Sequence, residues 1–235
     1  RLIMKVVPGE PTRVTKVSID FAGPIADNPQ DRPQRETIQR GWSLRSGDRF
    51  TQNAWNNAKQ TAVRDLVKRR YPTGQISYSL ADIDPETHSA QLEVTLDSGP
   101  AFRIGELVVQ GADRYDADLA ARLAQLVPGE IYDQNLLLDA QIKLGESGYF
   151  DSVVLTLDTT GDPNAAPVLV QVSEAKKQKL VLGVGANTDV GLRLTAEHTH
   201  HKVPGIGWRA ISKLELDQKK QFISTDLLAP PDEHN

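Results

Sequence analysis

Residues 46–53 read SGDRFTQN, and residues 128–135 read PGEIYDQN. Gly47 aligns with Gly129, Asp48 with Glu130, Phe50 with Tyr132, and Gln52-Asn53 with Gln134-Asn135, at a constant offset of 82 residues. The flanks agree as well: residues 13–19 (RVTKVSI) resemble residues 103–109 (RIGELVV) at an offset of 90, the difference being absorbed by a longer loop over residues 23–33. Residues 2–9 (LIMKVVPG) resemble residues 92–99 (LEVTLDSG), a third, partial copy. Windows that agree in the same order mark an internal repeat, and a unit of about 80 residues can enclose one modest core.

Each copy has the same layout. A strand with alternating apolar residues comes first, over Val14–Phe21 and Phe102–Gln110, where Val17 and Ile19, or Leu107 and Val109, would face the core. A short helix follows, near Arg35–Gly41 and Asp116–Leu126, with Leu119 and Leu123 on one face. The longer helix starts after a capping residue, Thr51 or Asp133. Its apolar stripe is Trp55, Ala58, Ala62 and Leu66 in the first copy, and Leu137, Ala140 and Leu144 in the second, with Gly148 as the stop. Lys68-Arg69-Arg70 closes the first long helix, where cations suit its dipole; a solvated helix end is the plain reading, and a contact to another module the sharper one. Two strands end each copy: Gln75–Ala81 with Gln91–Asp97, and Ser152–Leu157 with Val168–Ser173. The turn sequences at residues 84–87 and 161–164 imply hairpins. The expected fold class is α+β, with tandem β-α-α-β-β modules of two helices on a three-stranded sheet.

From Lys179 onward the helical periodicity stops. Leu180, Leu182, Val184 and Ala186 alternate with Val181, Gly183 and Gly185. Leu192, Leu194 and Ala196 share one face of a second run; Trp208, Ala210, Leu214 and Leu216 one face of a third; Ile223, Thr225 and Leu227 one face of a fourth. Strands of roughly ten residues with one apolar and one charged face suit a transmembrane β-barrel, and equally a soluble sheet with one buried face. A barrel needs about eight strands, so four imply a segment of a longer chain. The opening strand-like alternation of residues 1–6 carries the same expectation.

Composition narrows the chemistry. A net charge of −4 gives no basic surface for nucleic acid, and the absence of cysteine removes disulfides and thiolate metal sites. No run approaches the ~18 apolar residues of a membrane helix. Gly183-Val184-Gly185 lacks the third glycine and the following helix of a dinucleotide fingerprint, so glycines on the lumen side of a curved strand are the simpler account. His198, His200 and His201 cluster, and residues 198 and 200 would share a strand face, but a polar loop at a barrel end is the plainer reading. Asp113, Asp116 and Asp118 suit a helix start better than a calcium site. No serine, histidine and acid stand in a nucleophile context. No enzyme activity, cofactor or metal is expected.

At this point the residues resemble a known family. The modules look like polypeptide-transport-associated (POTRA) modules, and residues 183–194 (GVGANTDVGLRL) resemble the first barrel hairpin of the TamA-like outer-membrane assembly factors of the BamA/TamA superfamily. Leu228-Ala229-Pro230-Pro231 is similar to the extended end of an early barrel strand in that group. The superfamily's Arg-Gly-Phe or Arg-Gly-Tyr loop is absent from these residues. The resemblance implies residues 1–11 as the end of a preceding POTRA module, 12–100 and 101–177 as two POTRA modules, and 178–235 as the first strands of a truncated outer-membrane β-barrel.

It also implies a place in the bacterial outer membrane with the modules in the periplasm, and a role in outer-membrane protein insertion or autotransporter assembly. Its partners would be unfolded outer-membrane protein clients and a periplasm-spanning partner such as TamB. The alternatives are the POTRA region of a two-partner secretion transporter and a soluble periplasmic scaffold. The physical mechanism would be β-augmentation at exposed sheet edges. The candidate edges are Gln75, Ile76, Ser77, Tyr78 and Ser79, and Ser152, Val153, Val154, Leu155 and Thr156.

Overall fold

The computed structural model describes residues 9–187 and 191–229. The partial copy at residues 2–9 falls outside them except for Gly9, as do Thr188-Asp189 of the expected hairpin turn and Pro230-Pro231.

The first copy forms β1 (Arg13–Ala22), α1 (Pro24–Asp27), α2 (Arg32–Gly41), α3 (Gln52–Val67), β2 (Gln75–Asp84) and β3 (Ser89–Asp97). The sheet order is β1-β3-β2, with β1 parallel and β2 antiparallel to β3. A parallel pair needs a crossover, which the helices supply. The central β3 buries Ala90, Leu92, Val94 and Leu96. Against them α3 buries the stripe read from its spacing, Trp55, Ala58, Ala62 and Leu66. Thr51 caps α3, its hydroxyl accepting from the Ala54 N–H at 3.1 Å. At the other end the Gln34 amide donates to the Leu66 carbonyl at 2.9 Å, which satisfies an end group the helix itself leaves open.

Two expectations shift here. The stretch 23–33, read as a loop, holds α1 and a 3₁₀ turn, and α2 starts at Arg32 rather than Arg35. Pro24 and Pro33 sit in first turns, where a fixed φ helps a helix and the missing N–H costs nothing. Lys68-Arg69-Arg70 lies past the end of α3 at Val67 rather than in its last turn.

The second copy forms β4 (Ile104–Gln110), α4 (Ala117–Ala124), α5 (Gln134–Glu146), β5 (Phe150–Leu157) and β6 (Ala166–Glu174), with sheet order β4-β6-β5. Asp116 caps α4 through the Asp118 N–H, so this acid starts a helix. The stripe Leu137, Ala140 and Leu144 of α5 is buried, as are Val168 and Val170 of the central β6.

The repeat is written in hydrogen bonds as well as letters. Val14 N–H donates to Asp48 O at 2.9 Å, and Ile104 N–H to Glu130 O at 2.8 Å. Gly47 N–H donates to Val14 O, Gly129 N–H to Ile104 O, Phe50 N–H to Thr12 O, and Tyr132 N–H to Phe102 O. The guanidiniums repeat too, Arg13 donating to Gly47 O and Arg103 to Gly129 O. Both glycines hold a left-handed φ, 93° and 89°, which explains why glycine stands at both places.

A four-stranded antiparallel meander follows: β7 (Gln178–Asn187), β8 (Gly191–His200), β9 (Arg209–Leu216) and β10 (Gln221–Leu228). Its register puts Val184 opposite Leu194, Leu194 opposite Leu216, Ala196 opposite Leu214, and Leu214 opposite Ile223. Opposite residues share a face, so the four apolar sets read from the sequence fall on one side; Trp208 precedes β9 and stands apart from it. The other face carries the ion pairs Arg193–Glu215 and Lys213–Glu197, the latter at 3.5 Å. Gly183 and Gly185 lie inside β7 and lead into another strand, which leaves no helix for a dinucleotide site.

By contacts the chain divides into two units, Arg1–Glu106 with Val127–Asn135 and Asp158–Pro167, and Leu107–Leu126 with Leu136–Leu157 and Val168–Asn235. The division passes through the second copy. Its helix-entry segment Val127–Asn135 counts with the first unit, to which the corner after α3 belongs.

Candidate strand-pairing edges and module corners

All ten candidate edge residues lie on outer strands. Gln75, Ile76, Ser77, Tyr78 and Ser79 are on β2, and Ser152, Val153, Val154, Leu155 and Thr156 are on β5. Each strand pairs on one side only, with the central strand of its sheet, among the described residues. The opposite outer strands differ. The start of β1 is engaged by residues 47–50, and the start of β4 by residues 129–132, through the repeated bonds given above. Both candidate edges begin with an irregularity. The β2 register shifts between Ile76 and Tyr78, and the β5 register between Phe150 and Ser152. Ser77 therefore sits in a bulge, its hydroxyl turned to the Thr95 carbonyl at 3.3 Å. Past the bulge, Tyr78, Leu80 and Ile83 are 43–49% exposed, and Val154 is 52% exposed on β5.

The basic run after α3 is the part that plain sequence reading undervalued. Arg70 is not solvated: its side chain is 14% exposed and lies 3.3 Å from Asp31, itself 6% exposed. The Tyr71 hydroxyl donates to the same carboxylate at 2.6 Å. Burial, with the Asp31 carboxylate as hydrogen-bond acceptor, pushes the Tyr71 pKa up to about 12. The backbone of this corner receives the second copy. Phe102 N–H donates to Arg70 O at 2.7 Å, Arg70 N–H to Tyr132 O at 2.7 Å, and Gln134 N–H to Lys68 O at 2.8 Å, while Asp133 lies 4.0 Å from Arg69. Both sequence readings hold in part: Lys68 and Arg69 are exposed, as a solvated helix end would be, while Arg70 is largely buried and the backbone of the run contacts the second copy. The signal for that contact was the placement of the run immediately after the helix stripe ends.

The second copy closes differently. Arg114 bonds Glu174 at 2.6 Å and also donates to the Ala175 carbonyl. Burial would raise the Glu174 pKa, but bonds from the Arg114 guanidinium and from the Arg114 and Tyr115 N–H groups outweigh it and hold the carboxyl below its ordinary range. From β9, the Arg209 guanidinium donates to Ser147 O at 3.0 Å. Lys202 donates to Arg114 O, and His201 N–H to Lys177 O. His198 and His200 stack edge-on, their ring centres 6.5 Å apart. Among the described residues no group of three or more His, Asp or Glu side chains is arranged to hold a metal.

Residues 102–175 match the POTRA family model, described as the surface antigen variable number repeat. BamA from Haemophilus ducreyi lacking POTRA domains 1–3 superposes with a TM-score of 0.65 at 14% identity, over 87% of this chain and 37% of that one. The POTRA3–5 segment of Haemophilus influenzae BamA superposes with a TM-score of 0.53 at 16% identity, over 69% of this chain and 61% of that one. The chain thus spans less than two thirds of either structure. At these identities the superpositions speak for the fold. Residues 102–175 thus match the POTRA family model, and the chain shares the fold of these BamA segments, small α+β modules leading into antiparallel strands.

Proposed function

We propose that this chain is the periplasmic region and barrel start of a TamA-like factor for outer-membrane protein insertion or autotransporter assembly, and that β2 and β5 take up extended strands of clients or partners by β-augmentation. The modules span residues 12–100 and 101–177, and the barrel strands begin at residue 178. Clients are unfolded outer-membrane proteins, and a TamB-like partner spans the periplasm. The carrying observation is the asymmetry of the two sheets: β1 and β4 are engaged at their starts, whereas β2 and β5 pair only with their central strands among the described residues. Backbone pairing at such an edge reads few side chains, which suits a handler of many sequences. The four-stranded sheet supports the membrane half of the reading. Leu182, Val184 and Ile223 on its apolar face are 71–76% exposed, an apolar surface a soluble domain would cover and a bilayer would accept.

The test uses neighbouring prolines. N–H groups along an edge strand alternate between the ladder and the open side, so of Ser79→Pro and Leu80→Pro one removes an outward donor and the other a bond to β3. The outward variant is expected to lower client crosslinking from β2 by about fivefold, one backbone hydrogen bond of ~1 kcal/mol, with the unfolding midpoint unchanged. Crosslinking that survives both prolines would sink edge pairing at β2. Ser77 is a poor place for this test, because the bulge already takes it out of the ladder.

A further inference from the structure

The docking of the second copy onto the corner after α3 uses three backbone groups: Phe102 N–H, Tyr132 C=O and Gln134 N–H. The repeat gives each a counterpart in the first copy: Thr12 N–H, Phe50 C=O and Gln52 N–H. The counterparts sit in the same local frame, since the Phe50–Thr12, Val14–Asp48 and Gly47–Val14 bonds reproduce the Tyr132–Phe102, Ile104–Glu130 and Gly129–Ile104 bonds. Their use differs. None of the three groups has a backbone partner among the described residues. Tyr132 and Phe102 are buried, 8% and 2% exposed, whereas Phe50 and Thr12 are only half-buried. Thr51 is exposed where its counterpart Asp133 lies against Arg69.

We propose that Thr12, Phe50 and Gln52 form a socket for the helix-exit corner of another POTRA-type module, carried ahead of Thr12 in the same protein. The socket offers two donors and one acceptor. It fits a corner with two carbonyls free past a helix end and one N–H between them, which is what Lys68–Arg70 presents to the second copy. The approach of the chain supports this occupant over a separate partner. Residues 2–9 resemble residues 92–99, and Gly9 precedes Thr12 by the same interval as Gly99 precedes Phe102. In the second case the strand before that glycine is β3, the centre of the module whose corner is docked. The inference is independent of edge pairing, which concerns the other side of each sheet.

The test is amide exchange, read residue by residue, in the full-length protein. Gln52 and Gln134 are each the first residue of a helix, where proline fits and deletes only a donor the helix does not use. Thr51 is already extended (φ −141°, ψ 149°), as the residue before a proline prefers. The expected result is that Thr12 and Gln52 are protected to the same degree as Phe102 and Gln134. Gln52→Pro should then accelerate exchange at Thr12, and Gln134→Pro exchange at Phe102, each by on the order of tenfold. Free exchange at Thr12 and Gln52 in the unmodified protein overturns the proposal. So does a Gln52→Pro variant in which Thr12 stays protected while Gln134→Pro releases Phe102. Client crosslinking at β2 should be unaffected by Gln52→Pro, which separates this inference from the edge-pairing proposal.

Discussion

The two modules leave their long helices through the same kind of corner and furnish it in opposite ways. After α3 comes Arg70 at φ 63°, then the buried Tyr71; after α5 comes Gly148 at φ 76°, then the buried Tyr149. In the first corner the left-handed residue is itself an arginine, and it and the tyrosine share one buried carboxylate, Asp31. In the second, Tyr149 packs edge-on against Tyr115 with ring centres 5.1 Å apart, and the guanidinium arrives from β9 as Arg209. A left-handed arginine costs about 1–2 kcal/mol of backbone strain, which the polar cluster offsets. Where the guanidinium comes from another strand, a Cβ on Gly148 would meet the Arg209 guanidinium, which would have to move aside, and the left-handed φ would strain any side chain there. The same backbone bend can thus be held by a polar cluster or by a glycine under a borrowed arginine.

The largest way to break the first arrangement is to remove its carboxylate. Asp31→Ala leaves the Arg70 guanidinium with little solvent and the Tyr71 hydroxyl without its acceptor. Loss of one partner of a buried pair costs ~3–5 kcal/mol; discounted for the 14% exposure of Arg70, about 2–4 kcal/mol is expected. Tyr71→Phe, which deletes only a hydrogen bond, should cost about 1 kcal/mol. Denaturant unfolding followed by tryptophan fluorescence reads both, because Trp42 and Trp55 sit edge to face at 5.8 Å in this module's core. An Asp31→Ala cost no greater than that of Tyr71→Phe would show that the ion pair does not hold the corner.

The second arrangement should break by a smaller amount and in a coupled way. Gly148→Ala forces a side chain to φ 76° and pushes Arg209 off the Ser147 carbonyl, for about 1–3 kcal/mol. Arg209→Ala removes the obstacle as well as the bond, so the double variant should fall short of the sum by at least 0.5 kcal/mol. Strict additivity in that cycle would mean that the guanidinium and the glycine are not partners.

The sequence was most legible where periodicity carries the information. The stripes of α3 and α5 are buried as spaced, and the four late runs share one face because strand residues alternate with period two. The match of Gly47 with Gly129 was legible as part of the repeat, and their shared left-handed φ explains it. Three things were not. The parallel pairing of β1 with β3 depends on a crossover, which leaves no local trace. The bulge at Ser77 follows from register, which one strand cannot specify alone. The corner at Arg70 joins residues 31, 70, 102 and 132, so its arginine reads as solvated until the chain is folded. The ten candidate edge residues were named as exposed sheet edges; which sides of the sheets are engaged came only with the strand order and the hydrogen bonds of residues 47–50 and 129–132.

The smallest expected effect sharpens the comparison from the side of pH. His201 is 6% exposed beside the second corner. Burial holds its pKa below the ordinary value, and Arg209 pushes the same way, outweighing the Gly148 backbone and Asp151, which pull it up; Lys179 adds to the lowering. A base with a depressed folded pKa binds its proton more readily unfolded, so its contribution is present above the ordinary value of about 6.5 and is lost as pH falls through the folded one. Glu174 has the same sign in a lower window: its stabilisation is present above about 4.3 and lost as pH falls through its depressed pKa. The second corner should therefore loosen in two steps on acidification, seen as faster amide exchange at Ala175, whose N–H donates to Tyr149 O, and at His201, whose N–H donates to Lys177 O. In His201→Gln the upper step should vanish while the lower one stays. An upper step that persists in that variant would assign the proton to another group and leave the corner's arginine, not its histidine, as the source of its order.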